Sequence, residues 1–178
     1  MKRSLFITAL AGLALISLPF EARAQNPVQL GIAGGLSLPT SDLSDLVDLG
    51  FNGTVTVGMT PALIPLGIRI DGAINQFAIK DDLGDGNVRF LSVTGNLVYK
   101  IPGAMVSPYL IGGAGLYNTK VEVAPFGSEA ENKFGWNVGG GINMPLSGFS
   151  TFIEARYNQV NIEGESFKFI PITFGILF

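Results

Sequence analysis

Two pairs of oppositely charged residues are the most chemically suggestive feature of this sequence. Arg69 and Asp71 are separated by one residue, and so are Glu154 and Arg156. Residues two apart on a β-strand point to the same side, so each pair would present a cation beside an anion. Such a set could line a gated polar pore, or it could form an internal charge network that fills the space between strands.

Catalytic chemistry has few possible carriers in this chain. It contains no Cys and no His, which excludes thiolate nucleophiles, imidazole acid–base catalysis and metal sites built from either residue. A Ser or Asp without a base whose pKa lies near neutrality makes a poor hydrolase site. We therefore predict no enzymatic activity, no catalytic residues and no cofactor.

Acidic residues are concentrated in a few polar segments. The segment DDLGDGN at 81–87 contains the Asp and Gly residues of a calcium loop, but it lacks the alternating ligands and the distal Glu of an EF-hand. Asp-Gly and Gly-Asn are also common in hairpin turns, so a solvated turn is favoured and no metal site is predicted. The acidic loops also disfavour nucleic acid as a partner, because nucleic-acid binding requires basic patches.

The composition belongs to a protein that does not cover itself with charge. The 178 residues are 47% apolar and 14% charged, against roughly 25% charged in an average soluble domain. The chain starts with two basic residues, continues with an apolar run at 4–20 and reaches Ala22-Arg23-Ala24. This is the layout of a secretory signal peptide. We predict a cleaved signal peptide at 1–24, followed by one domain at 25–178.

The rest of the chain alternates apolar and polar residues with a period of two, which indicates β-strands. Leu91 and Val93, for example, alternate with Ser92 and Thr94. Eight such strands are predicted, at 28–38, 51–60, 66–77, 90–100, 108–120, 133–144, 150–159 and 170–178. Tight turns are predicted at one end of the strands, and longer polar loops at the other end, at 39–50, 80–88, 119–132 and 161–166.

This alternation favours an all-β fold, an eight-stranded antiparallel up-and-down transmembrane β-barrel. Short turns at one end, long loops at the other and an even strand number are typical of outer-membrane barrels. The polar face consists mainly of Gly, Ala, Ser, Thr and Asn, which suits a narrow barrel interior, whereas the apolar face suits lipid. A soluble periplasmic barrel that binds a hydrophobic ligand is the alternative. Eight strands leave room for little more than side chains, so the charge network is favoured over the pore.

Aromatic residues are predicted to gather at the ends of the strands. Rings at both ends of lipid-facing strands form the girdles of membrane barrels. The outer girdle is predicted to contain Phe51, Phe77, Phe90, Tyr117, Phe134, Trp136, Tyr157, Phe167 and Phe169. The inner girdle is predicted to contain Tyr99, Tyr109, Phe149 and Phe178.

Several motifs resemble a known superfamily: PYLIGGAGLY at 108–117, GWNVGGGI at 135–142, FIEARY at 152–157 and the last strand, IPITFGILF. With the signal peptide and the eight strands, they are similar to the small outer-membrane β-barrels of the outer-membrane protein A-like and opacity-type superfamily. The resemblance implies location in the outer membrane and contact with its lipid and lipopolysaccharide. Phe178 with Phe174 on an alternating apolar strand resembles the assembly signal that the barrel-assembly machinery reads in this superfamily.

The sequence therefore predicts an integral outer-membrane protein with a structural or surface-exposed role. Its acidic extracellular loops are expected to mediate adhesion or environmental contacts, and the chain is expected to be a monomer. A small pore is the second alternative.

Overall fold

The computed structural model describes residues 28–61, 64–81, 85–101, 106–123, 127–162 and 165–178. The predicted signal peptide at 1–24 lies outside these residues and stays a prediction. Among the described residues, no helix has both the length and the apolar character needed to cross a membrane.

Eight antiparallel strands form one closed barrel in which each strand pairs with the strands before and after it in the sequence. They are β1 (Val28–Thr40), β2 (Gly50–Met59), β3 (Leu66–Ala78), β4 (Gly86–Lys100), β5 (Ser107–Val123), β6 (Gly127–Pro145), β7 (Ser150–Ile162) and β8 (Glu165–Leu177). A short helix, α1 (Asp42–Leu46), lies between β1 and β2. The predicted eight-stranded up-and-down topology is confirmed.

The first and last strands close the barrel. The backbone N–H of Phe178 donates to the carbonyl of Leu30 at 2.7 Å, and the N–H of Leu30 donates to the carbonyl of Phe178 at 3.1 Å. A closed sheet has no free edge, so the backbone groups of the strands find partners without water, as hydrocarbon requires.

The two faces of the sheet are inverted relative to a soluble barrel. On β4, Ser92, Thr94 and Asn96 point inward and are at most 5% exposed, whereas Leu91 and Val93 point outward and are 54–62% exposed. Small and polar side chains therefore fill the interior, and aliphatic side chains cover the outside. This confirms the predicted assignment of the polar face to the lumen.

Two of the predicted loops are largely strand, which corrects the sequence interpretation. The segments predicted as loops at 119–132 and 161–166 contain the paired ends of β5, β6, β7 and β8, with Val123 opposite Gly127 and Ile162 opposite Glu165. Antiparallel pairing needs only backbone N–H and C=O groups, so these hairpins continue through polar sequence beyond the apolar belt. Glu122 and Glu131 consequently lie on strands rather than in a loop.

The predicted aromatic girdles are also partly wrong. Five of their members are buried inside the barrel: Phe77, Phe90, Tyr109, Tyr117 and Phe169. Each has the inward parity of its strand, and near the outer mouth an inward ring packs against other rings rather than lipid. Phe90 and Phe169 stack with centroids 5.0 Å apart, and Phe167 is packed against the same cluster. Outward rings remain at both ends, including Phe51, Phe134, Tyr99, Phe149 and Phe178.

Candidate functional site

The four charged residues singled out in the sequence meet in the middle of the lumen. Arg69 contacts Asp71 at 3.1 Å and Glu154 at 2.7 Å. Arg156 contacts Glu154 at 2.5 Å and Asp71 at 2.7 Å. Each guanidinium therefore touches both carboxylates, and each carboxylate touches both guanidinium groups. We call these four side chains the charge ring.

The barrel topology explains why the charge ring forms. Arg69 and Asp71 lie on β3, and Glu154 and Arg156 lie on β7. In a closed ring of eight strands β3 and β7 are diametrically opposite, and the i, i+2 spacing points both members of each pair inward. The ring therefore spans the full width of the lumen.

Tyr109 reaches the charge ring because a glycine on the next strand makes room for its side chain. Gly141 is the cross-strand neighbour of both Tyr109 and Glu154. A Cβ atom at Gly141 would lie 2.5 Å from the Tyr109 hydroxyl, so any larger residue would displace the tyrosine side chain. In the space beside Gly141, the Tyr109 hydroxyl donates a hydrogen bond to Glu154 Oε2 at 2.7 Å.

Further hydrogen bonds hold Asp71. Thr56 on β2 donates to it through its hydroxyl, and Asn96 on β4 donates to it through its amide at 3.0 Å. Asn137 on β6 in turn donates to Asn96 Oδ1 at 2.9 Å. Six strands, β2 to β7, thus contribute to one polar network. Sequence analysis missed Tyr109 and the three residues named here, although their inward parity could have indicated them.

The charge ring is electrically balanced and poorly accessible to water. Its side chains are 2–11% exposed. An isolated ion in such an environment would cost several kcal/mol, but two cations and two anions in mutual contact largely offset that cost. Because every ionic group is committed to two partners, the arrangement is suited to holding strands together rather than to exchanging protons with a substrate.

Small cavities lie on both sides of the charge ring. One, of about 30 Å³, lies on the side of the outer mouth and is lined by Asn75, Ser92 and Asn158 among others. Another of about 30 Å³ lies on the side where β1 begins and β8 ends. Cavities of this size accommodate ordered water molecules. The charge ring lies between the two cavities.

The helix α1 closes the outer mouth above the aromatic cluster. Leu43 and Val47 are each 1% exposed and pack in one cluster with Phe77, Phe90 and Phe169. The backbone N–H of Lys80 donates to the carbonyl of Leu46 at 3.1 Å, and that of Asp48 donates to Ala78 at 2.9 Å. These bonds fasten the segment after α1 to the end of β3. The sequence predicts a polar loop at 39–50, and the helix within it is a correction from the structure.

The remaining predicted sites are placed as follows. Phe174 and Phe178, the predicted assembly signal, both point outward from the last strand and are more than half exposed. The acidic segment 81–87 is only partly described, since residues 82–84 lie outside the described ranges. No group of three or more Asp, Glu, His or Cys side chains that could hold a metal occurs in the described part of the chain.

Comparison with solved structures shows similar barrels. The crystal structure of Neisserial surface protein A (NspA) covers 85% of this chain and 96% of its own, at 14% identity and a TM-score of 0.69. Ail, the attachment invasion locus protein of Yersinia pestis, in complex with the heparin analogue sucrose octasulfate, covers 86% and 100% at 22% identity, with a TM-score of 0.51. The N-terminal barrel domain of Pseudomonas aeruginosa OprF covers 86% and 98% at 13% identity, with a TM-score of 0.52. Identities this low show the fold alone.

Sequence comparison identifies the family. A search of curated proteins found no match. The family model described as "Outer membrane protein beta-barrel domain" matches residues 8–177, nearly the whole chain. With the closed barrel and its apolar outer surface, this match places the protein in the outer membrane, and the soluble periplasmic alternative is wrong. The chain belongs to the outer membrane protein beta-barrel domain family.

Proposed function

We propose that this protein is a closed, non-enzymatic barrel that presents its outer end to the cell's surroundings and does not conduct. The charge ring of Arg69, Asp71, Glu154 and Arg156 carries this proposal, because its contacts cross the lumen from β3 to β7. The aromatic cluster under α1 supports it independently, since it fills the outer mouth with apolar side chains. A small pore would require both to move.

The test is a conductance measurement on purified protein in planar bilayers. We expect no steady current from the wild-type barrel. A variant with Glu154→Ala and the Leu43→Ala substitution in α1 should leak more than either single variant, because it loosens both closures. Stable open-channel currents from the wild-type monomer would replace this proposal with the pore.

The outer end presents acidic and apolar side chains together. Asp42, Asp45 and Asp48 alternate with exposed Leu46 and Leu49 in and after α1. We infer that this segment makes the adhesive or environmental contacts and that it prefers a cationic, amphipathic partner, because opposite charges steer association and apolar contact strengthens it. Ail binds a polyanionic heparin analogue, and the acidic segment here argues for a different partner chemistry.

Binding of this segment can be measured on cells and on isolated components. The Asp42, Asp45 and Asp48 carboxylates would be changed together to Asn, and binding to host-type cells, matrix and a cationic amphipathic peptide compared with wild type. We expect binding to fall and its salt dependence to flatten. Unchanged binding would remove the segment from the contact surface.

Lipopolysaccharide is the proposed partner of the outer edge of the lipid-facing surface. Arg89 on β4 and Lys120 on β5 are direct cross-strand partners. Like charges directly opposite each other destabilise a sheet, so this pair favours an external anion such as a lipopolysaccharide phosphate. Glu122 accepts a hydrogen bond from Lys120, and this single carboxylate cannot balance both cations of the pair. Weaker retention of lipopolysaccharide by Arg89→Gln than by the wild type would support this contact, and equal retention would argue against it.

We further propose that Phe178 and Phe174 form the assembly signal read by the barrel-assembly machinery and that the folded chain is a monomer. Both rings project outward, where a partner could contact them before insertion. The lumen is filled from within this one chain, so its closure does not require a second copy.

A further inference from the structure

The lumen has a polar recess at the end where β1 begins and β8 ends. It is lined by Gln29, Thr60, Arg69, Lys100, Tyr109 and Asn143 together with small and apolar neighbours, and we call it the periplasmic vestibule. Arg69 and Tyr109 form its floor, which is the underside of the charge ring. In outer-membrane barrels the end with short turns faces the periplasm, so the vestibule opens to that compartment.

The charge of the vestibule is one-sided. Lys100 has the inward parity of β4 and lies directly opposite Tyr109 on β5. It has no ion-pair partner among the residues the structure describes. The described residues that build this end of the barrel contain no Asp or Glu; they are 28–32, 56–61, 64–70, 96–101, 106–111, 140–153 and 174–178. Among these residues, therefore, no acidic side chain neutralises the ammonium of Lys100.

One buried polar atom of the vestibule also lacks a partner. The side chain of Asn143 is 5% exposed, and its Oδ1 has no hydrogen-bond partner in the described structure. An amide oxygen accepts hydrogen bonds, so the partner that Oδ1 lacks is a donor such as an ordered water molecule, while the Nδ2 group of the same amide stays a donor.

We propose that the periplasmic vestibule binds a phosphate group, supplied either by an inner-leaflet phospholipid or as free phosphate. A lysine ammonium binds phosphate as a point charge, and the hydroxyl of Thr60 and the amides of Gln29 and Asn143 provide neutral donors around it. Because the charge ring is balanced without any ligand, the bound phosphate compensates Lys100 alone. This site lies at the opposite end of the barrel from the acidic segment. A negative result for the phosphate site would therefore not affect the proposed surface contacts.

The test uses isotope-labelled protein in dodecyl maltoside, an uncharged detergent without phosphate. Inorganic phosphate is titrated at constant ionic strength while the side-chain amide of Asn143 and the backbone amide of Lys100 are followed by NMR. We expect saturable shifts in the wild type and about tenfold weaker binding in Lys100→Gln, since one charge-assisted contact is lost. Lys168→Gln, the same change on the outward face near the other end, serves as the matched control and should bind like wild type.

Two further arms keep the result interpretable. Lys100→Arg retains a cation and should retain binding, so weaker binding by Lys100→Gln alone would show that the positive charge at this position is required. In phospholipid nanodiscs without added phosphate, shifted amides identify the lipid headgroup as the source, whereas shifts that appear only on titration identify free phosphate. Absence of saturable shifts in both media, or equal binding by Lys100→Gln and the wild type, would overturn the proposal.

Discussion

Glu154 is the member of the charge ring whose removal has the clearest consequence. Its carboxylate accepts hydrogen bonds from Arg69 at 2.7 Å, Arg156 at 2.5 Å and Tyr109 at 2.7 Å. Glu154→Ala removes all of these and leaves two guanidinium groups facing one carboxylate, that of Asp71. Leaving one buried positive charge unbalanced in this way lowers the free energy of unfolding by about 3–5 kcal/mol.

The measurement is urea unfolding of protein refolded into lipid vesicles, followed by the fluorescence of Trp136, the single Trp of the chain. Glu131→Ala is the control, because Glu131 also pairs with a lysine, at 2.8 Å, but is 64% exposed. An exposed ion pair contributes about 0–1 kcal/mol, so the control should unfold close to wild type.

A double variant separates the network from simple loss of packing. Removing Arg69 together with Glu154 leaves Arg156 and Asp71 as a balanced pair at 2.7 Å. The double variant should therefore be more stable than the sum of the single changes indicates, by roughly 0.5–3 kcal/mol. Strictly additive free energies would refute the reasoning, since they would mean that the four charges act independently.

Three further changes test other parts of the fold. Gly141→Ala should destabilise the barrel by about 1–3 kcal/mol, because the new Cβ overlaps the side chain of Tyr109. The control Gly95→Ala should be neutral, since its Cβ meets nothing within 4 Å. Equal unfolding midpoints for the two variants would contradict this prediction. Leu43→Ala should lower the free energy of unfolding by about 2–5 kcal/mol in the same assay. Leu46 is exposed, so Leu46→Ala should lower it much less. A reversed order would show that α1 does not close the outer mouth. Phe178→Ala should lower the outer-membrane yield in cells while refolding in detergent stays efficient; equal membrane levels would argue against an assembly role.

The alternation of residue types was sufficient to predict most of the barrel. A period of two fixes which residues share a face, and that alone assigned Arg69, Asp71, Glu154 and Arg156 to one interior. It also distinguished lipid from lumen, because a face of Gly, Ser, Thr and Asn cannot interact well with hydrocarbon, whereas Leu91 and Val93 can. Strand number and strand order followed from the number of alternating segments and the short connections between them.

Alternation could not show where pairing stops. Antiparallel hydrogen bonds involve only the backbone, so the polar ends of β5 and β6 continue as strand after the apolar pattern has ended. Position along the strand predicts a lipid girdle for aromatic residues such as Phe77, but the parity of Phe77 points its ring inward, where it is buried. The helix at Asp42–Leu46 is stabilised mainly by contacts with residues distant in sequence, and local propensity does not report such contacts.

Only the tertiary structure decided which charges touch. The spacing of Arg69 and Asp71 predicts a pair along one strand, but the contacts from Arg69 to Glu154 and from Arg156 to Asp71 cross the whole lumen. They depend on the register of every strand between β3 and β7, since a one-residue slip in any of them would turn side chains to the other face. The sequence by itself determined the composition of the interior, and closure of the barrel determined that its charges form one ring.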